Sequence, residues 1–378
     1  MILKSTRRAL IGVMLPTLLA LCGSNSHADR QATSFSLAFA GGLIAPEKVI
    51  RFLDSTDSRI HRQYLPILHD GHTSLPNPVK PFFTAQGWNS QQAWSALCET
   101  AKKKGIKLYG YVDALRWDAI EGDAGQNVFA ACPELQELCD DLSTDSVLEG
   151  RFASPLNPEV QRIVTSVVNE AVTAVPELEG ICLDYRLGLR QMLGFSEAAR
   201  IPCIREFSVD PLYMDLGDHT AQGQKIWTDW IKWRKDRMSD FFFELSDAAR
   251  SNKKDRHVSA VAIANFYRWK TGAQSFPSQD WMTWVYAEAV DEIILLGNWA
   301  APGNATSYGD ACKLIEQSGK QVEVAPLLIT HDLITRKPVT YEAQWEALKA
   351  QAPIAHVVVQ ISSEDDLSRA AAFVKTLQ

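Results

Sequence analysis

None of the seven cysteines in this 378-residue chain are spaced as CxxC, and no stretch of lysine and arginine is long enough to form a basic block. The first absence removes the commonest spacing of a structural zinc site. The second, with 45 acidic against 38 basic residues and a net charge of −7, leaves no electrostatic footprint for nucleic acid or for an anionic membrane surface. Beyond the first thirty residues no apolar run is long enough to span a bilayer. No break in composition marks a second domain either.

The N-terminus carries Lys4, Arg7 and Arg8, then a nearly unbroken apolar stretch from Ala9 to Leu21, then Ser26-His27-Ala28. A basic region, a short apolar core and a small-x-small site predict a secretory signal over residues 1–28, cut before Asp29. Leu21 before Cys22 argues against lipidation. Removal of this segment takes the charge to −10, because residues 1–28 hold three basic residues and no acidic one. The expected location is periplasmic or secreted, with no membrane insertion after cleavage. An oxidising compartment admits a disulfide, and Cys132 and Cys139 are the closest pair.

Eight short apolar runs recur along the rest of the chain, mostly separated by helical patterns. They are Ser34 to Ala40, Tyr64 to Leu68, Ile106 to Val112, Gly180 to Asp184, His257 to Ala264, Val290 to Leu296, Val322 to Ile329 and His356 to Ile361. Asn157-Pro158 opens the clearest helix, with Val160, Ile163, Val164, Val167, Val168 and Ala171 at helical spacing. Eight strand runs alternating with helices over some 350 residues predict an α/β fold, a (β/α)8 TIM barrel with elaborated βα loops. A single barrel is expected to occupy residues 29–378.

Ligands of such a barrel bind at the C-terminal ends of its strands. The carboxylates predicted there are Asp70, Asp113, Asp184, Asp332 and Glu364. Asp184 is the candidate ionised catalytic group, with Arg186 two residues on. Asp113, among Tyr109, Tyr111 and Trp117, and Asp332, beside His331, compete for the acid, although loop capping explains either equally well. Trp117, Tyr185, Tyr267 and Trp299 are candidate sugar-stacking rings, with packing as the bland alternative. His69, Asp70 and Asn265 are candidate polar contacts to substrate, joined by Arg186 and His331. His69, Asp70 and His72 also read as a metal cluster, the less favoured option, so no metal or cofactor is expected. No glutamate closes the fourth or seventh strand, where many retaining barrel glycosidases carry their pair.

The stretches AKKKGIKLYGYVDALRW, SPLNPEVQRIVTSVVNEAV, LEGICLDYRLG, LGFSEAAR and WTDWIKWRKDRMSDFF, in that order, resemble the glycosyl hydrolase-like 10 family of exported bacterial barrels. The resemblance covers roughly residues 60–300. It implies a glycosidase-like (β/α)8 fold and a bacterial envelope or extracellular polysaccharide as partner, such as peptidoglycan glycan strands or poly-N-acetylglucosamine-type chains. Members commonly carry two aspartates before the tyrosine of the fourth strand. Here Leu183 replaces the first, and alignment on Tyr185 keeps Asp184 in place. The leading expectation is a glycoside hydrolase working with a carboxylate pair. Its rivals are a catalytically inactive glycan-binding barrel and a metal-dependent deacetylase. The oligomeric state is left open.

Overall fold

Every predicted apolar run becomes a strand of one parallel sheet. The computed structural model describes residues 34–39, 44–55, 60–85, 87–88, 90–118, 127–143, 150–185, 193–214, 220–265, 278–332, 335 and 337–376. The strands are β1 (Ser34–Phe39), β2 (Ile60–His69), β3 (Lys107–Asp113), β4 (Gly180–Asp184), β5 (His257–Ile263), β6 (Glu292–Leu296), β7 (Glu323–Leu328) and β8 (His356–Ile361). Each is followed by a helix: α1 (Pro46–Ser55), α2 (Gln91–Lys104), α3 (Pro158–Ala174), α4 (Ala221–Ala249), α5 (Trp281–Tyr286), α6 (Asn304–Ser318), α7 (Tyr341–Lys349) and α8 (Glu364–Thr376). Neighbouring strands pair in parallel, and β1 pairs with both β2 and β8, so the sheet closes into an eight-stranded barrel.

Local sequence explains the main joints. Ser90 caps α2 by accepting from the Ala93 N–H, and Gly105, at φ 69°, ends it in the left-handed conformation. Asn157 caps α3, whose buried valines cover the barrel wall. Gly180 starts β4 because Tyr109 leaves it no room. A Cβ there would sit 2.3 Å from the Tyr109 ring.

The barrel's N-terminal end is filled by a polar plug. The buried Glu292 carboxylate accepts from the Tyr64 and Ser259 hydroxyls, each at 2.6 Å, and pairs with Arg62 at 3.1 Å. His356 Nε2 lies 3.5 Å from the same carboxylate and 3.0 Å from the Ser36 hydroxyl. Burial works against the charge, but the Arg62 guanidinium and the Ser259 hydroxyl hold the Glu292 pKa down.

One expectation, the Cys132–Cys139 disulfide, is corrected, and the aromatic face of α4 is split between two cores. Met238, Phe241, Phe242 and Leu245 join the main core, whereas Trp230 and Trp233 form a satellite core with Phe195 and Cys203. The chain between β4 and α4, not the sheet, is their partner. Cys132 and Cys139 are both free thiols, the first ending the short helix Val128–Ala131 and the second buried.

Candidate functional site

The C-terminal ends of β2, β3 and β4 gather the densest set of charged side chains at the barrel mouth. Asp70 and Gly71 form a two-residue turn with φ of 47° and 76°, and His69 pairs with His72 across it. Positive φ at both positions is the geometry that Asp-Gly favours in a tight hairpin. The turn aims Asp70 at Arg116, whose Nη2 lies 3.0 Å from Asp70 Oδ1. The Arg116 Nε donates to Asp113 Oδ2 at 3.0 Å. His69 completes the ring of charges, 3.0 Å from Asp70 and 3.5 Å from Asp113.

The electrostatics follow from this packing. Burial alone would push the His69 imidazole down, but Asp70 and Asp113 override it and raise its pKa to about 9. Burial would likewise raise Asp70 and Asp113. Arg116 and His69 instead hold both carboxyls below the usual carboxylate range. The ligand atoms of His69, Asp70 and Asp113 lie within 4.8 Å of one another, a spacing that suits a cation. The guanidinium of Arg116 already supplies one, so a metal would have to displace it. His72 is not one of this trio, and its Nδ1 contacts the Asp70 carbonyl at 3.0 Å.

Asp184 stands beside this cluster. It is in register with Asp113 on the adjacent strand, and its Oδ2 accepts the Tyr111 hydroxyl at 2.6 Å. Asp184 is 1% and Asp113 3% exposed, so both carboxylates are recessed from bulk water.

The other predicted residues are dispersed. Asp332 accepts from the Asn298 amide and from the backbone and hydroxyl of Thr335, at 2.6, 2.6 and 2.9 Å. Three donors suit an ionised loop cap, not an acid. Asp113 does not fit the acid either, because the apolar setting read from its tyrosines is outweighed by Arg116 and His69. Trp117, Tyr185 and Trp299 are fully buried, and the stacking expected of them is corrected accordingly. Trp117 packs on Phe82 and Phe129, Tyr185 on Phe241 and Phe242, and Trp299 on Tyr308. Asn265 follows β5 and is half-buried, and His331 is exposed, 3.1 Å from the Thr330 hydroxyl. Arg186 and Tyr267 lie outside the described residues.

A family model described as glycosyl hydrolase-like 10 matches residues 49–347. The chain belongs to the glycosyl hydrolase-like 10 family. A search of curated proteins finds no match. Among solved structures, this family member resembles the PgaB (BpsB) glycoside hydrolase domain from Bordetella bronchiseptica, with a TM-score of 0.59 and 12% identity over 91% of this chain and 98% of that one. It also resembles a beta-galactosidase from the psychrophilic Marinomonas ef1, with a TM-score of 0.57 and 11% identity over 91% of this chain and 60% of that one. At such identities the likeness is one of fold.

Reasoning from sequence missed two mouth residues and a buried carboxylate near them. Tyr111 shares the inward face of β3 with Asp113, a period-2 signal that the run itself carries. Arg116 was visible only as a positive charge near the mouth. Asp118, buried on the short strand Arg116–Asp118, gave no signal because a loop carboxylate reads as solvated.

Proposed function

We propose that this member of the family is an exported glycoside hydrolase that cleaves a bacterial envelope or extracellular polysaccharide at the C-terminal mouth of its barrel. One observation carries the reading: Asp184 and Asp113 end adjacent strands in register, and Tyr111 orients the Asp184 carboxylate. Glycoside hydrolysis needs an ionised carboxylate as nucleophile or as base for water, and a recessed, hydrogen-bonded aspartate at a strand end suits that role. Asp113, held ionised by Arg116, shapes the field beside it. Asn265, His69 and Arg116 line the approach as polar contacts for sugar hydroxyls. In this reading residues 1–28 are the export signal and the rest is a single barrel.

The test is reducing-end release from peptide-free peptidoglycan strands, poly-N-acetylglucosamine and neutral glucans, with wild type and Asp184→Asn in parallel. Release by the wild type and a loss of at least ~10²-fold in the variant is the expected result. Equal release by both proteins removes Asp184 from the chemistry. Glycan binding by both without release establishes the inactive barrel instead, the outcome that the ion-paired state of Asp70 and Asp113 would favour.

A further inference from the structure

Asp184 stands where the ladder between β4 and β5 gives out. At the start of that ladder the His257 N–H donates to the Glu179 carbonyl at 3.1 Å. The register then runs without a shift as far as Asp184 opposite Val261. Advancing both strands by the same step, from 257 to 263 and from 179 to 185, places the next rung between the Ile263 N–H and the Tyr185 carbonyl.

The pairing stops short of that rung, and the Gln279 side chain stands in it. Its Oε1 accepts from the Ile263 N–H at 3.0 Å, and its Nε2 donates to the Tyr185 carbonyl at 3.1 Å and to the Val261 carbonyl at 2.9 Å. With one N–H and two carbonyls as partners, only this orientation of the amide satisfies all three. Gln279 is wholly buried.

The exit of β4 is anchored through this amide. The Asp184 carbonyl accepts from the Ala114 N–H at 3.0 Å on the β3 side, and the next carbonyl, that of Tyr185, is tied toward β5 by Gln279. Consecutive carbonyls held to opposite walls fix the backbone from which the Asp184 side chain projects. The Tyr185 side chain adds no polar anchor, since its ring packs on Phe241, Phe242 and Trp284 and its buried hydroxyl has no hydrogen-bond partner. Ser278, just before Gln279, is buried at φ 55°. A non-glycine residue kept in the left-handed region is over-determined by its surroundings, as backbone that supports a site can be.

Gln344 supplies the contrast. It is equally buried, accepts from the Ile329 N–H at 3.3 Å, and donates to the Ile329 and Thr340 carbonyls at 2.8 and 3.1 Å. All three groups belong to the exit of β7 and its connection to α7. This second amide closes a loop on itself and bridges no pair of strands.

We infer that Gln279 is a positioning residue, an amide that replaces the missing rung between β4 and β5 and thereby sets the direction of the Asp184 carboxylate that Tyr111 meets from β3. The catalytic consequence rests on the hydrolase reading; the geometric one does not.

The experiment compares Gln279→Glu and Gln344→Glu in the full chain. Each introduced carboxyl keeps the acceptor and, while protonated, one donor, and burial favours that neutral form. A folded variant is therefore at hand in mildly acidic medium, and raising the pH deletes the donor in place. One readout is the carbon-13 resonance of the Tyr111 Cζ, assigned by Tyr111→Phe, which reports the hydrogen bond to Asp184. The other is kcat and KM on whichever glycan of the panel the wild type cleaves, taken relative to wild type at each pH. As pH rises, the Tyr111 resonance of Gln279→Glu should leave its wild-type position and kcat should fall ~10- to 10²-fold at little change in KM. Gln344→Glu should lose thermal stability and otherwise follow the wild type. A Tyr111 resonance that stays in place in Gln279→Glu, or equal changes in the two variants, overturns the inference. Failure of Gln279→Glu to fold even in acid overturns it as well, by leaving Gln279 a role in stability alone. A wild type that cleaves nothing removes the hydrolase reading, and the resonance still decides for or against Gln279.

Discussion

Tyr111 reaches across from β3 to Asp184 on β4, and its hydroxyl donates to that carboxylate and helps to fix how it points. Tyr111→Phe keeps the ring and deletes only the O–H. A hydrogen bond to a charged group contributes about 1.5–3 kcal/mol. The variant should therefore lose roughly 10- to 100-fold in kcat/KM at an unchanged fold. Kinetics on the cleaved glycan, with a thermal melt as control, check this; an unaltered kcat/KM would remove Tyr111 from the site. At this scale the sequence was partly legible. Asp113 and Asp184 announce themselves by ending apolar runs. The Tyr111–Asp184 contact does not, because it depends on the β3–β4 register, which no local pattern specifies. The aromatics mislead for a related reason. Trp117, Tyr185 and Trp299 follow strand ends, but the chain turns them inward onto Phe82, Phe241 and Tyr308.

Glu137 governs the next scale, where two long βα connections are sewn together. Its buried carboxylate accepts from the Leu138 N–H at 3.0 Å, the Ser196 N–H at 2.8 Å and the Ser154 hydroxyl at 2.7 Å. Residues after β3 and residues after β4 thereby share one carboxylate. The Gly194 and Phe195 N–H groups add bonds to the Leu138 carbonyl. Arg234 on α4 stacks over Trp230, 4.6 Å from its ring, and donates to the Leu193 carbonyl. Glu137→Ala strands three donors, two of them buried, at about 1–3 kcal/mol for each buried one left without a partner. Limited proteolysis should then cut preferentially between residues 138 and 196, while cleavage spread evenly over the chain would show that Glu137 holds no such unit. The helices were readable because their periodicity is local, as α3 shows with its run of buried valines. This stitched platform was not, since its order comes from contacts between two irregular segments that lack any repeat.

At the scale of the whole molecule, buried titrating groups bound the pH range of stability. His69 has its pKa raised to about 9 by Asp70 and Asp113. Its contribution is fully present below the unfolded value of about 6.5 and is lost as pH rises through 9. Glu292 has a lowered pKa, so its contribution is present above an unfolded value of about 4.3 and disappears as acid titrates the folded carboxylate. Burial lowers His257 and His356, so below about pH 6.5 the unfolded chain takes up protons that the folded barrel refuses. Thermal melts should accordingly be highest near pH 6.5, falling below it as the unfolded histidines take up protons and falling again between about pH 6.5 and 9 as the His69 contribution is lost. His69→Gln should flatten the alkaline decline, and a decline unchanged in that variant would assign it to other groups. The eight-strand architecture was the most legible feature of all, because a strand buried on both faces is written as a continuous apolar run.

Closure of the barrel joins its first strand to its last. Ser34 pairs with His356 and Phe39 with Ile361, so the first strand meets one of its two neighbours only when β8 is in place. Until then β1 has an open edge on the side that β8 will cover. A wall sealed by strands so remote in sequence weights the fold toward slow, non-local contacts.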